Sequence, residues 1–202
     1  MARTPKVVED RREQIIDAAM RVFSQKGFTR ATNKDVAREA GITPGLIYYY
    51  FESKEALLKA ILEERSPLPV VTSLPAQMLA LPPEVFLRFL IQRVLGIVES
   101  EKFVQLLLVI FSEMTHNVNL SEIVLGLFQH ILAFVGGYFK SKMETGELRQ
   151  ADVAFTVQVF IGSVMGFVLR RQILRDPVAL EYSHEQIADA VVETVLKGML
   201  PR

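Results

Sequence analysis

Cysteine is absent from this chain of 202 residues, which excludes disulfides and thiolate metal sites. Histidine is scarce. His116, His130 and His184 lie far apart in sequence, so a compact histidine-rich centre is not expected and no metal or cofactor is assigned. No nucleophile, base and orienting group form a catalytic set, so no catalytic residue is assigned and the chain is read as a non-enzyme. The first thirty residues are charged and amphipathic and lack the apolar segment of a secretory signal. The most hydrophobic stretch, residues 153–169, is shorter than the ~20 residues that span a bilayer, and Thr156, Gln158 and Ser163 interrupt it. A soluble, cytoplasmic protein with no membrane partner is therefore expected.

Half of the residues are hydrophobic, enough for a sizeable core. The formal net charge of zero hides an asymmetry: residues 1–65 hold 12 basic against 10 acidic side chains, and residues 66–202 hold 11 against 13. The basic excess gathers at Arg3, Lys6, Arg11 and Arg12, as a solvated terminus or as an arm for a polyanion.

Residues 13–26 have a helical period, with Ile15, Ile16, Ala19, Val22 and Phe23 on one stripe and Gly27 as the stop. Thr32 can cap a second helix, with Asp35 in its first turn. Gly41 ends it. Thr43 and Pro44 open a third, short helix, in which Ile47 and Phe51 are four apart and face inward together. Ser53 opens a fourth. Two helices joined by a tight glycine-containing turn form a helix-turn-helix, which sets its second helix in the DNA major groove. The run Tyr48-Tyr49-Tyr50-Phe51 could be core filler. However, successive helical residues are about 100° apart, so at least one tyrosine must reach the surface. Tyr48, Tyr49 and Lys54 can then meet phosphates or base edges, and Gly45 permits close backbone approach.

Residues 11–64 closely resemble the N-terminal domain of the tetracycline-repressor (TetR) family of bacterial transcription regulators. The matching runs are IIDAAMRVFSQKGF, ATNKDVAREAG, ITPGLIYYYF and ESKEALL, in the family's order and spacing. The resemblance implies DNA contact through Thr32, Thr43, Pro44, Gly45, Leu46, Tyr48, Tyr49 and Lys54. Two positions depart from the family pattern: Tyr50 stands where many members have histidine, and Leu46 where a small polar residue is common.

Residues 66–83 carry five prolines among apolar residues and read as a packed connector, with a short helix near 76–81. Helices are then expected over residues 84–100, 102–116, 121–145, 152–171 and 183–198. Ser121 is the expected cap and Gly146 the expected stop of the third of these. Residues 152–171 are apolar on nearly all sides and should be buried all round, with Gly162 and Gly166 admitting a neighbouring helix. Ile187, Val191, Val195 and Met199 form a stripe on the last helix. Pairing of the last two large helices across a two-fold axis would hide the remainder, and the resemblance implies the same dimer. Phe167, Ile187, Val191 and Val195 are the expected interface.

The resemblance also implies an effector pocket among the middle helices. Phe103, Leu107, Phe111, Glu113, Phe128, Gln158 and Phe160 are candidate lining, beside their plainer reading as core and surface residues. An apolar lining points to a hydrophobic effector, and Glu113 in the cavity would favour a cationic one. The expected architecture is all-α: an N-terminal three-helix helix-turn-helix domain over residues 1–65, then a larger helical ligand-binding and dimerisation domain over 66–202. The expected function is a homodimeric repressor of a pseudo-palindromic double-stranded DNA operator, released by a small hydrophobic effector. The alternatives are the same architecture with no effector, controlled by a protein partner or by abundance, and a helical enzyme or carrier.

Overall fold

A computed structural model of the chain describes residues 5–114 and 117–198, with the side chains of 5–9, Lys102 and Ser112 left aside. Arg3, His116 and Met199 lie outside the described residues. Among the described residues the secondary structure is helical, with no strand. The chain forms two compact units: Met1–Ser66 with Glu101–Leu127, and Pro67–Ser100 with Phe128–Arg202. The division expected after residue 65 lies one residue from an edge of the first unit, but that unit also takes in Glu101–Leu127.

In the first unit, α1 (Pro5–Lys26) starts well before the expected Glu13, so Lys6, Arg11 and Arg12 lie on this helix. Arg12 pairs with Glu64 and lies 5.2 Å from the centre of the Phe51 ring. Gly27 adopts φ +79°, the left-handed conformation that ends a helix without a side-chain penalty. Then follow α2 (Asn33–Glu39), α3 (Pro44–Tyr50) and α4 (Lys54–Arg65). Gly41 (φ +63°) makes the turn between α2 and α3, and the Gln14 amide donates to the Ala40 carbonyl at 2.7 Å. Ile15, Ile16, Phe23, Phe28, Val36, Ile47, Leu57, Leu58 and Ile61 are fully buried together. Each such side chain contributes about 1.5–3 kcal/mol of burial.

The same core contains Leu106 and Ile110 of α8 (Glu101–Met114) and Leu120 of α9 (Val118–Glu144). This shared apolar core is why a segment distant in sequence packs with the first helices. Asn117, not Ser121, caps α9: its side-chain oxygen accepts from the Leu120 N–H at 3.1 Å, while the Ser121 hydroxyl donates back to the Met114 carbonyl.

The second unit contains α5 (Leu68–Thr72), α6 (Ala76–Leu79) and α7 (Pro83–Val98), with prolines at or beside each start. The later part of α9 runs to a stop at Gly146 (φ +78°). Next come α10 (Val153–Val168), α11 (Pro177–Leu180) and α12 (His184–Lys197), which Ser183 and Gln186 open with a capping box. Phe86, Leu90 and Leu95 of α7, Phe139 of α9, Phe160 and Val164 of α10, and Ile187, Val191 and Val192 of α12 are buried.

The end of α10 widens into a π-turn, Leu169–Ile173. From it, the Arg171 guanidinium grips Glu99 in a two-pronged pair (2.7 and 3.0 Å) and donates to the carbonyls of Ala179 and Tyr182. His184 Nε2 meets the same carboxylate at 2.9 Å.

Helices α10 and α12 both depart from expectation. α10 is not buried all round. Phe155 is 75% exposed, Val159 and Leu169 are exposed, and nothing lies within 4 Å of where a Cβ on Gly162 or Gly166 would stand. Among the described residues, no atom fills the gap those glycines leave. Conversely, Ile187 and Val191, expected at a dimer interface, are buried inside the unit, with Val191 4% exposed. The Ile187 and Val191 part of the α12 stripe faces the unit's own core. Only Phe167 and Val195 of the expected interface remain partly accessible. With its π-turn, the α10 helix runs Val153–Ile173, so it and α9 are both long and apolar enough to cross a membrane by length and composition. Core and interface helices meet the same criterion.

Candidate nucleic-acid interface

The turn before α3 sets the site. Pro44 occupies the first helical position, where its missing N–H costs nothing. Ile47 is buried against the α1 core and fixes the rotation of α3. That rotation turns Gly45, Tyr48 and Tyr49 outward on one face, at the i, i+3, i+4 spacing of neighbours on a helix surface. Tyr49 is 73% exposed. Thr43 and Pro44 are exposed at the head of the same helix, and the Thr43 hydroxyl makes no capping bond. Leu46 is half-buried on the flank. Tyr50 packs its ring against the core and against Tyr49, ring centres 5.1 Å apart and nearly perpendicular. Its hydroxyl is buried without a partner among the described residues.

Thr32 and Lys54 are bonded within the chain. Thr32 forms a capping box: its hydroxyl donates to Asp35 Oδ2 at 2.8 Å, and its backbone N–H to the same oxygen at 3.1 Å. The Asp35 carboxyl is held well below the usual carboxylate range, first by the Lys26 ammonium at 2.6 Å and then by Thr32. Lys54 Nζ donates to the carbonyls of Phe28 (2.8 Å), Thr29 (3.1 Å) and Ala31 (3.1 Å), over the Phe28 ring. All three of its protons are used inside the chain. Thr32 and Lys54 thus make their bonds within the chain, around the start of α2.

A cation the sequence reading passed over is Lys34. It is exposed in the first turn of α2 and has no ion-pair partner among the described residues. Its position two residues after the capping threonine was the available signal. Most other cations of these helices are taken up internally: Arg21 by Glu39, Lys26 by Asp35, Arg65 by Glu13 and Asp17.

The candidate effector lining is divided between the two units. Phe103, Leu107, Phe111 and Glu113 belong to the first unit, Phe128, Gln158 and Phe160 to the second. Phe103 and Phe160 are buried; Leu107 and Phe128 are partly so. Phe111 is 56% exposed, and Gln158 is exposed too, because each lies on the outer side of its helix. The Glu113 carboxylate is seated on the loop after α1. Its Oε2 accepts from the Thr29 N–H at 2.5 Å and the Thr29 hydroxyl at 2.6 Å. No group of three or more metal-ligating side chains is assembled among the described residues.

Comparison with known proteins decides what this head belongs to. Residues 15–61 match the family model for bacterial regulatory proteins of the tetR family, and residues 86–198 match that of the C-terminal domain of AefR-like transcriptional repressors. The chain belongs to the TetR family of transcriptional regulators.

Among curated TetR-family relatives, the regulator HbdR of Aromatoleum sp. (strain CIB) is 50% identical over 54 residues, covering 27% of this chain and 24% of HbdR. SrpR of Pseudomonas putida is 44% identical over 66 residues, covering 32% of this chain and 31% of SrpR. These matches therefore span well under half of the relatives' lengths. Solved structures share the fold over nearly the whole chain. The fatty acid degradation regulator FadR from Bacillus halodurans has a TM-score of 0.76 at 22% identity, covering 100% of both chains. A SmeT–triclosan complex has 0.77 at 22% identity, covering 95% of this chain and 92% of that one. FadR from Bacillus subtilis in complex with stearoyl-CoA has 0.74 at 20%, covering 92% and 98%. This TetR-family chain is accordingly a DNA-binding, helix-turn-helix transcriptional regulator.

Proposed function

We propose that the chain is a cytoplasmic, homodimeric repressor that reads a pseudo-palindromic operator and leaves it when a hydrophobic small molecule binds. The observation that carries the DNA part is the outward face of α3, where Gly45, Tyr48 and Tyr49 stand clear of the core on a helix whose rotation Ile47 locks. Tyrosine offers a hydroxyl to phosphate and a ring edge to thymine methyl groups, and Lys34 adds a charge that phosphate attracts. The support for a dimer is the uncovered strip of α10, Phe155, Val159 and Leu169, with Gly162 and Gly166 between them. A second copy of the same helix could approach closely there, as two-fold pairing requires. Two heads in a dimer read half-sites about 34 Å apart, or a multiple of that.

The effector class rests on the family and on two neighbours of like fold whose solved complexes hold triclosan and stearoyl-CoA, both with large apolar parts. A ligand shifts DNA affinity only by binding one state better than the other. The deciding experiment is selection of a duplex from a random-sequence pool by the purified protein, then a screen of apolar small molecules for release. A two-fold-related motif with release by an apolar compound is expected. An asymmetric single half-site sinks the dimer reading. Binding that no compound affects favours control by a protein partner or by abundance.

A further inference from the structure

Glu113 lies within the residues matched by the C-terminal family model, yet its carboxylate is seated on the loop between α1 and α2. Oε2 takes both the N–H and the hydroxyl of Thr29, and Oε1 rests so near Gly27 that a Cβ there would stand 2.5 Å from it. Lys54 of α4 holds the carbonyl oxygens of Phe28, Thr29 and Ala31 in the same loop. The loop is thus gripped by an anion on its N–H side and by a cation on its carbonyl side. It leads directly into Thr32, the cap of α2, and α2 leads through Gly41 into α3. A carboxylate beside the C-terminal end of α1 faces the negative end of that helix's dipole. The seat is favourable because Thr29 donates twice and Lys54 supplies an opposite charge on the same five residues, 27–31.

We infer that Glu113 is a positioning residue for DNA binding: it acts through Thr29 and the 27–31 loop, touches no DNA, and makes α8 part of what fixes α2 and α3. The inference rests on the DNA-binding reading of α3 above. Any event that displaces the last turn of α8 must either carry the loop along or break two charge-assisted hydrogen bonds.

The test uses the full chain and a duplex that the wild type selects from a random-sequence pool, with each titration corrected for folded fraction. Glu113→Ala is expected to weaken binding about tenfold, the loss of a pair of hydrogen bonds to a charged group. Glu113→Gln keeps an oxygen for the Thr29 N–H and loses less. Thr29→Val removes only the hydroxyl donor, and its effect is not additive with that of Glu113→Ala. All three keep the wild-type salt slope, whereas loss of a phosphate contact lowers the slope by about one. Unchanged affinity in all three variants overturns the inference. So does a loss that vanishes after correction for folded fraction, or strict additivity in the double variant. If Glu113→Ala does not fold, Glu113→Gln and Thr29→Val decide the matter. If the wild type selects no duplex, the DNA-binding reading itself has failed.

Discussion

Helices α3 and α10 expose their large side chains to nearly the same degree, Tyr49 at 73% and Phe155 at 75%, and they do so for opposite chemical reasons. On α3 the exposed groups are phenols, each an apolar ring with a polar tip, on a helix pinned from behind by Ile47. On α10 they are Phe155 and Val159, with no polar atom, beside two glycines that leave the backbone open. The first surface is stable in water and can also bind a polar lattice such as a DNA groove. The second gains free energy only when another apolar surface covers it. Exposure alone does not identify an interface; what the side chain offers at its tip does.

The comparison is tested most severely by exchanging charge into each kind of apolar position. Val191→Asp places an unpaired carboxylate inside the second unit and is expected to cost several kcal/mol or more, seen as loss of helical circular dichroism at 25 °C. Phe155→Asp combined with Val159→Asp should leave that signal intact and convert the particle to a monomer in sedimentation analysis. A stable dimer in the double variant would put the interface elsewhere. Tyr49→Ala should leave both folding and assembly unchanged and weaken binding to a selected duplex by about 1–3 kcal/mol, measured by fluorescence anisotropy. Lys54→Met removes the cation from three carbonyls and should lower the thermal midpoint of the first unit, with local exchange of the 27–31 amides as the readout.

The smallest effect concerns pH. The Asp35 carboxyl is depressed by Lys26 and Thr32, so its folded value lies below its unfolded one. Its contribution is present above the unfolded value of ~3.9 and is lost as pH falls through the folded value. Wild type should therefore lose stability on acidification below about pH 4 in a way that Asp35→Asn does not.

Much of the head was legible because its signals are local. Gly27 and Gly41 take positive φ where the pattern ended helices, and Ser53 caps α4 through the Ala56 N–H. Ile47 and Phe51 both turn inward. What could not be read was the destination of long side chains. Nothing in the spacing says that Lys54 reaches back to the 27–31 loop, or that Glu113 meets Thr29 across 84 positions. The α12 stripe was legible as apolar, but an apolar stripe looks the same whether its own core or a second copy receives it. For Ile187 and Val191 the core received it.

The π-turn at the end of α10 has a bearing on how that helix could serve as a reference surface. Its backbone bonds run from the Leu174 N–H to the Leu169 carbonyl and from the Asp176 N–H to the Arg170 carbonyl, longer steps than an α-helix uses. The extra residue lets one continuous helix turn an apolar strip outward and then aim Arg171 inward at Glu99, without a break between them. Deleting a single residue there would restore regular phase and swing the guanidinium by about 100°. Glu99 would then be left buried without its arginine, and the end of α10 would lose the ion pair that ties it to the end of α7. The widened turn acts as a keyway: whatever docks on the strip is indexed, through one arginine, to the beginning of the last helix.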